Sequence, residues 1–336
     1  MTSKHVLLTN AHLNGVEYGI LRDFEDEIVR VTNAERIPAP VRSLPSLVHG
    51  RLQHGTRYAG LRKIVAKQDY QIEADVLWVV LMCPENFTLD LYARWDVAVK
   101  TKVLYIFDTF EGHLPSIKRV LEATDWDFTF TTFQGAKDFL EANTGRTWHL
   151  VHQGVSLVRF KPAEKDRKII DFSAYGRQLD RIHKSLLEYC SGANRYYDFN
   201  TTIPRLEKGV GGRESYQKYA WHLSHSIFNF CWPLNLTHPS RVRTFSPISP
   251  RYFESAASGN VILGRAPADI HFDSLFGPDA VISIDHENGS LGSLWDRLYD
   301  NREEYLDKAL ARRAELSDRW SWESRVREIL RIINAN

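Results

Sequence analysis

Long apolar runs are missing from this chain. The longest, Val76–Cys83, has eight residues, against the roughly 20 that a membrane-spanning helix needs, so membrane contact is expected to be peripheral at most. Cysteine is scarce. Cys83, Cys190 and Cys231 lie far apart with no C-x-x-C spacing, which supports neither a disulfide framework nor a zinc site and fits a reducing, cytoplasmic compartment. An excess of charge of either sign is also missing. Lys and Arg number 43 against 42 Asp and Glu, a formal net charge of +1, which argues against a dedicated nucleic-acid binder but leaves room for a local basic pocket for phosphate. "MTSKHVLLTN" has no charged segment leading into a long apolar one, so no signal peptide is read there. Short-period repeats and low-complexity tracts are absent.

What is present is a globular chain of 336 residues, 43% hydrophobic and 25% charged, a length that suggests two domains. Short apolar runs alternate with helical spacing. "HVLLTN", "ADVLWVVLM", "KVLYIFD", "DFTFTTF" and "TWHLVHQG" read as strands, and 113–124 and 134–145 as helices between the later ones. Residues 11–19 read as a loop. "ADVLWVVLM" shows no polar alternation, as expected of a strand covered on both faces. "VSLVRFKPAEKDRK" (155–168) is polar and charged and reads as a linker. The alternation then restarts, with strands at 169–175, 195–199, 227–235, 260–264 and 280–285 and helices at 178–190, 215–226, 291–301, 302–318 and 320–335. Such β/α order predicts parallel sheets flanked by helices.

The stretch "SPISPRYFESAASGNVILGRAP" (246–267) carries the most chemistry. Ser249 suits a helix N-cap, Pro250 the first helical position and Gly259 the residue just past the end. Spacing puts Arg251, Glu254, Ser255 and Ser258 on one outward face. A helix N-terminus attracts anions. Arg251 would add a bidentate fork for phosphate oxygens, and Glu254, one turn deeper, would accept from sugar hydroxyls. These parts suit a nucleoside diphosphate. The competing reading is an ordinary surface pair between Arg251 and Glu254.

The same stretch resembles the C-terminal domain of GT-B glycosyltransferases of the group 1 kind, whose E-A-x-A-x-G-x-P pattern stands here as "ESAASGNV" (254–261). "SPRYF" (249–253) before it is closer to the CgeB-like branch. "LVHQGVSLVRFKP", "AYGRQLDRIHKSLLEY" and "DRWSWESRVREIL" resemble, in order, the end of the first domain, the opening of the second and the closing helix of these enzymes. The resemblance is good over about 150–336; over 1–150 it rests on the β/α pattern. It implies an α/β GT-B fold: two Rossmann-like domains facing across a cleft, an acceptor-binding one over 1–160 plus a closing helix at 320–336, and a nucleotide-sugar-binding one over 166–318. It implies a hexosyltransferase-type enzyme that moves a sugar from a nucleotide-sugar co-substrate to a glycan, lipid-linked or small-molecule acceptor, with no metal and no further cofactor. Glu254 would hold the donor ribose and Arg251 the diphosphate. Arg177, in the Gly176–Arg177 turn, would be a second diphosphate ligand, with Arg181 and Lys184 behind it, and Ser249 and Ser255 would line the same pocket. One departure is evident: many retaining members carry a Glu eight residues before this one, where this chain has Ser246, so the retaining assignment is not carried over.

An inverting enzyme needs a base for the acceptor hydroxyl, and loops after the carboxyl ends of parallel strands are where ligands bind. Asp108, in "DTFEGH", is the first choice and His12, after the first strand, the second. Three other motifs are set aside. "DWD" (125–127) runs straight into an apolar strand, which speaks against a metal site. "KGVGGRE" (208–214) lacks the Lys-Ser/Thr of a P-loop. "WHLSHS" (221–226) has no third metal ligand in view. Two other functions remain open: a sugar-nucleotide epimerase on the same fold, and a binding or scaffold protein without turnover.

Overall fold

The computed structural model of the chain describes residues 3–9, 15, 18–39, 68–89, 92–176, 178–200, 212–286 and 291–335. The chain divides into two compact units. Unit 1 comprises Met1–Leu13, Leu21–His152 and Val326–Asn336; unit 2 comprises Asn14–Ile20 and Gln153–Arg325.

Unit 1 is built on β1 (His5–Thr9), α1 (Gly19–Thr32), β2 (Glu35–Pro38), β3 (Gln68–Asp69), β4 (Glu73–Leu81), β5 (Tyr92–Ala93), β6 (Ala98–Ile106), α2 (Leu114–Glu122), β7 (Phe128–Thr131), α3 (Gln134–Thr144) and β8 (His149–Leu150). Six strands form one parallel sheet in the order β2-β1-β4-β6-β7-β8, and β3 and β5 form a separate pair. β4 is buried along both faces from Val76 to Leu81, as its unbroken apolar run requires. One face is covered by a core containing Leu77, Leu104, Ile117, Leu140 and the ring cluster of Phe87, Trp95 and Trp126. α3 ends at Gly145 in the left-handed conformation, the termination read from its sequence.

Unit 2 contains β9 (Ile170–Tyr175), α4 (Asp180–Ala193), β10 (Tyr197–Asn200), α5 (Gly212–Ser224), β11 (Ser226–Cys231), α6 (Leu234–Thr237), α7 (Pro250–Ala257), β12 (Val261–Gly264), α8 (Phe272–Phe276), β13 (Val281–Ser283), α9 (Gly292–Asp300) and α10 (Arg302–Leu316), and then the first residues of α11 (Trp322–Asn334). Its five parallel strands are ordered β10-β9-β11-β12-β13. Two cores sandwich the sheet: α5, α7 and α8 supply one, α4, α9 and α10 most of the other. From β9 the chain steps outward to β10, then returns past β9 to β11 and continues the other way. The strand order therefore reverses between β9 and β11, and a reversal of this kind opens a crevice at the strands' carboxyl ends.

The 155–168 stretch, read as a linker, belongs to unit 2; it is exposed at several positions, Val158 among them, but anchored at others. Val155 and Phe160 lie in the unit 2 core, and Val155 is hydrogen-bonded to the carbonyl of Trp320 at 2.7 Å. Lys168 is buried as well. No helix among the described residues is long and apolar enough to cross a membrane.

Candidate functional site

Three of the unit 2 residues singled out in the sequence, Ser249, Arg251 and Glu254, lie on or beside α7, next to the β9–β11 reversal. β9 ends at Tyr175, and the next residue, Gly176, has φ +82°. A methyl group built on Gly176 would sit 1.9 Å from Nη2 and 2.5 Å from Cζ of Arg251. The guanidinium therefore occupies the space that a side chain at Gly176 would need, although the two residues are 75 apart in sequence. Among the described residues it makes no hydrogen bond or ion pair, with Glu254 or with anything else, so the surface-pair reading falls away. It stands in the first turn of α7, at the positive end of the helix dipole; of the N–H groups there, Pro250 has none and that of Tyr252 donates to the Ser249 carbonyl at 3.2 Å.

Ser249 occupies the N-cap of α7 and Pro250 the first helical position, as expected, but the Ser249 hydroxyl does not cap. Its Oγ is buried without a hydrogen-bond partner. Gly259 ends the segment in the left-handed region (φ +66°), and the Leu310 side chain leaves no room there for a Cβ.

The single outward face expected for Arg251, Glu254, Ser255 and Ser258 does not exist. Every residue from Tyr252 to Ser258 is buried, because this eight-residue helix is wedged among the sheet, α5, α8 and α10. Ser255 is turned inward. Asn229 Nδ2 donates to its Oγ at 2.5 Å, and Ser173 Oγ donates to Asn229 Oδ1 at 2.8 Å, a buried polar ladder that ties α7 to β11 and β9. Its hydroxyl is used to seat the helix, not to line the pocket.

Glu254 is 5% exposed. Tyr216 donates to its Oε1 at 2.9 Å and Tyr219 to its Oε2 at 2.7 Å. Burial, and then the adjacent carboxylate, pushes the Tyr219 phenol well above its ordinary pKa, so it remains a donor. The tyrosines stand one turn apart on α5. Phe160 packs edge-on against both rings, and Tyr175 packs edge-on against Tyr219 at 5.3 Å. Tyr175 in turn donates to Asp198 Oδ2 at 2.7 Å, and His222 Nδ1 lies 2.5 Å from the same oxygen. Burial works to raise the Asp198 pKa, but the bonds from His222 and Tyr175 outweigh it and hold it below the usual carboxylate range. The one signal for Tyr216 and Tyr219 in the sequence is their i,i+3 spacing on a helix.

Arg181 and Lys184 are not drawn into this cluster. Both are exposed on α4, which packs on the opposite face of the sheet, and Arg181 donates to the carbonyl of His286 at 2.9 Å. Arg177 and His12 lie outside the described residues, as do residues 208–211 of the Gly-rich motif. Ser246, at the position of the absent carboxylate, is buried and donates to Asn235 Oδ1 at 3.0 Å, a neutral pair.

In unit 1, Asp108 stands just past β6, where loop placement puts it. Its N–H donates to the carbonyl of Met82, and its own carbonyl accepts from His113 Nδ1, both at 2.8 Å. Burial, Glu85 and Asp108 together push the nearby Cys83 thiol up to about 12, which makes it a poor nucleophile. The Asp-x-Asp motif is structural: Asp127 accepts from the Lys102 N–H at 2.7 Å, and the exposed Asp125 pairs with Arg146 at 3.3 Å. No cluster of His, Cys, Asp or Glu able to hold a metal occurs among the described residues.

No family model and no curated protein matches the chain. Solved structures do. HepE of Anabaena, determined in complex with UDP-glucose, aligns over 99% of this chain and 100% of its own, with TM-score 0.52 and 10% identity. AviGT4, a glycosyltransferase involved in avilamycin A biosynthesis, aligns over 93% of this chain and 87% of its own, with TM-score 0.47 and 12% identity. MnaA of S. aureus, solved with UDP, aligns over 97% and 95%, with TM-score 0.47 and 10% identity. At such identities the likeness is one of fold. With parallel sheets of six and five strands in series, the chain has the α/β GT-B fold that the resemblance implied.

Proposed function

We propose that the chain is a glycosyltransferase that draws a sugar from a nucleotide-sugar donor, with unit 2 holding the donor's diphosphate. The observation that carries this reading is the Arg251 guanidinium, which has no hydrogen-bond or ion-pair partner among the described residues and rests against Gly176 at the strand-order reversal, beside the start of α7. A cation at the positive end of a helix dipole is complementary to a dianionic leaving group. The buried, unpartnered Ser249 hydroxyl at the same helix start is a further available donor. HepE, which shares the fold over its whole length, was solved with UDP-glucose.

In this reading Arg251 neutralises the diphosphate, a metal is dispensable, and Glu254 orients the donor from beneath. Asp108 takes the proton of the acceptor hydroxyl. The chemistry balances simply: the acceptor oxygen bonds to the anomeric carbon, the bond from that carbon to phosphate breaks, and the nucleoside diphosphate leaves with the electron pair. The acceptor class is a hydroxyl of a glycan, a lipid-linked carrier or a small molecule. The neutral Ser246–Asn235 pair favours one second reading, a nucleotide-sugar-binding protein without turnover.

The test is a thermal-shift and calorimetric screen against nucleoside diphosphates and their sugars, since a ligand bound only by the folded state raises its Tm. Arg251→Ala is expected to weaken the matching diphosphate by about 1.5–3 kcal/mol and to leave the nucleoside unchanged. Equal losses for both would remove the phosphate role. Asp108→Asn is expected to abolish transfer while donor affinity stays within about two-fold, and wild-type turnover in that variant would clear Asp108. Transfer that persists in excess chelator supports metal independence, and no transfer to any acceptor despite donor binding supports the second reading.

A further inference from the structure

Glu254 is gripped by phenols on both sides. Each carboxylate oxygen accepts one hydroxyl, Tyr216 at 2.9 Å and Tyr219 at 2.7 Å, and the residue is buried, 5% exposed. We propose that Tyr216 and Tyr219 are positioning residues of the donor pocket: their hydroxyls lock the rotamer of Glu254 and keep it an acceptor at a depth where a lone carboxylate would take up a proton.

The packing explains why the phenols can do this. Tyr216 and Tyr219 share one face of α5, so their hydroxyls reach the carboxylate from a single rigid element. Phe160, itself fully buried, presses on both rings, and Arg159 lies over the Tyr216 ring at 5.4 Å. The rings have little freedom to follow Glu254, so it must follow them. Isolating a carboxylate in an apolar site favours its neutral form, and hydrogen bonds donated to it restore the charged one. Among the described residues, the titratable and charged groups near it include Tyr216 and Tyr219 on α5, Arg159 over the Tyr216 ring, Arg251 on its own helix and Cys231 on β11. The Cys231 thiol is pushed up to about 12 by burial and brings no charge at neutral pH. The two phenols, each donating to one carboxylate oxygen, favour the charged form. A protonated Glu254 would present a hydroxyl donor in place of an acceptor.

This rests on the donor reading of unit 2, and the experiment separates the two. UDP affinity is measured by calorimetry from pH 8 to 5.5 for wild type, Tyr216→Phe, Tyr219→Phe, and Tyr219→Phe combined with Glu254→Gln. At pH 8 each phenylalanine variant is expected to bind UDP roughly ten-fold more weakly. The ratio of its Kd to that of wild type should then grow as pH falls, because a carboxylate stripped of a donor protonates at higher pH. In the combined variant that growth should vanish. A merely structural role gives a ratio that does not change with pH, and such a constant ratio, or wild-type binding by both phenylalanine variants, overturns the proposal. If wild type binds neither UDP nor another nucleoside diphosphate, the donor reading fails. Carbon-13 titration of the Glu254 carboxyl in wild type and Tyr219→Phe then decides the clamp alone: a higher titration point in the variant supports it, and an unmoved one overturns it.

Discussion

Gly176 is the residue at which backbone and ligand chemistry are hardest to separate. Its φ of +82° is open to glycine and strained for other residues, and its missing side chain is the space in which the Arg251 guanidinium rests. Alanine there is expected to cost about 1 kcal/mol or more in strain and to push the guanidinium out of place. Diphosphate affinity should fall about ten-fold, the 1.4 kcal/mol of one displaced contact, with nucleoside affinity unchanged. Paired titrations of the two ligands check this, and an equal loss for both would mean the crevice itself had collapsed. Sequence spacing marked Arg251, and the resemblance marked the Gly176–Arg177 turn. Nothing in the sequence says that the two meet, because that contact is made by the strand order. Ser255 shows the opposite failure. Helical spacing assigns it to an outward face only if the helix has one wet side, and a short helix enclosed by sheet and neighbouring helices has none.

At the scale of elements, most strands and helices were legible within a few residues, because each strand is a short apolar run and each long helix a 3.6-residue stripe. α1 had no counterpart in the sequence reading. Its buried stripe of Leu21, Phe24 and Ile28 is interrupted by charged residues at nearly every other position. The anchored positions within 155–168 were not legible, because polar composition does not reveal which polar groups find partners. Lys168 shows how far that goes: its ammonium donates to the carbonyls of Ser224 at 3.1 Å, Ser226 at 2.7 Å and Ser258 at 3.1 Å. It thereby joins the last turn of α5, the start of β11 and the residue after α7, where two helix ends point negative charge at it. Burial nonetheless pulls its pKa from 10.5 down to about 7. Between about pH 7 and 10.5 the unfolded chain thus holds a proton there that the folded one has released, so stability should rise with pH across that window and stay flat below it. The slope from this one group is at most about 1.4 kcal/mol per pH unit. Denaturant unfolding at several pH values should show the rise in wild type and its absence in Lys168→Met, and identical pH profiles would mean that the ammonium stays charged in the fold.

At the scale of the whole molecule, a net charge of +1 leaves little long-range field to steer a ligand, so recognition has to come from local geometry. The proposed donor groups, Gly176, Arg251 and Glu254 with its two tyrosines, all fall within unit 2. They hang from three segments: the end of β9, α5, and α7 with the loop before it. Likeness at about 10% identity preserves the β/α order of such a molecule without preserving side chains, which is why the fold was readable from pattern while the site needed coordinates. A bound nucleoside diphosphate should therefore leave a local footprint. In native-state hydrogen exchange at saturating UDP or the diphosphate that the screen selects, amides at 175–179 and 249–254 should gain protection, since ligand binding suppresses the local openings that expose them. Amides of the α4 face that carries Arg181 and Lys184 should change little beyond the first turn of that helix. Protection gained instead along the middle of α4, with 249–254 unmoved, would move the anion to the other face of the sheet and take Arg251 out of the site.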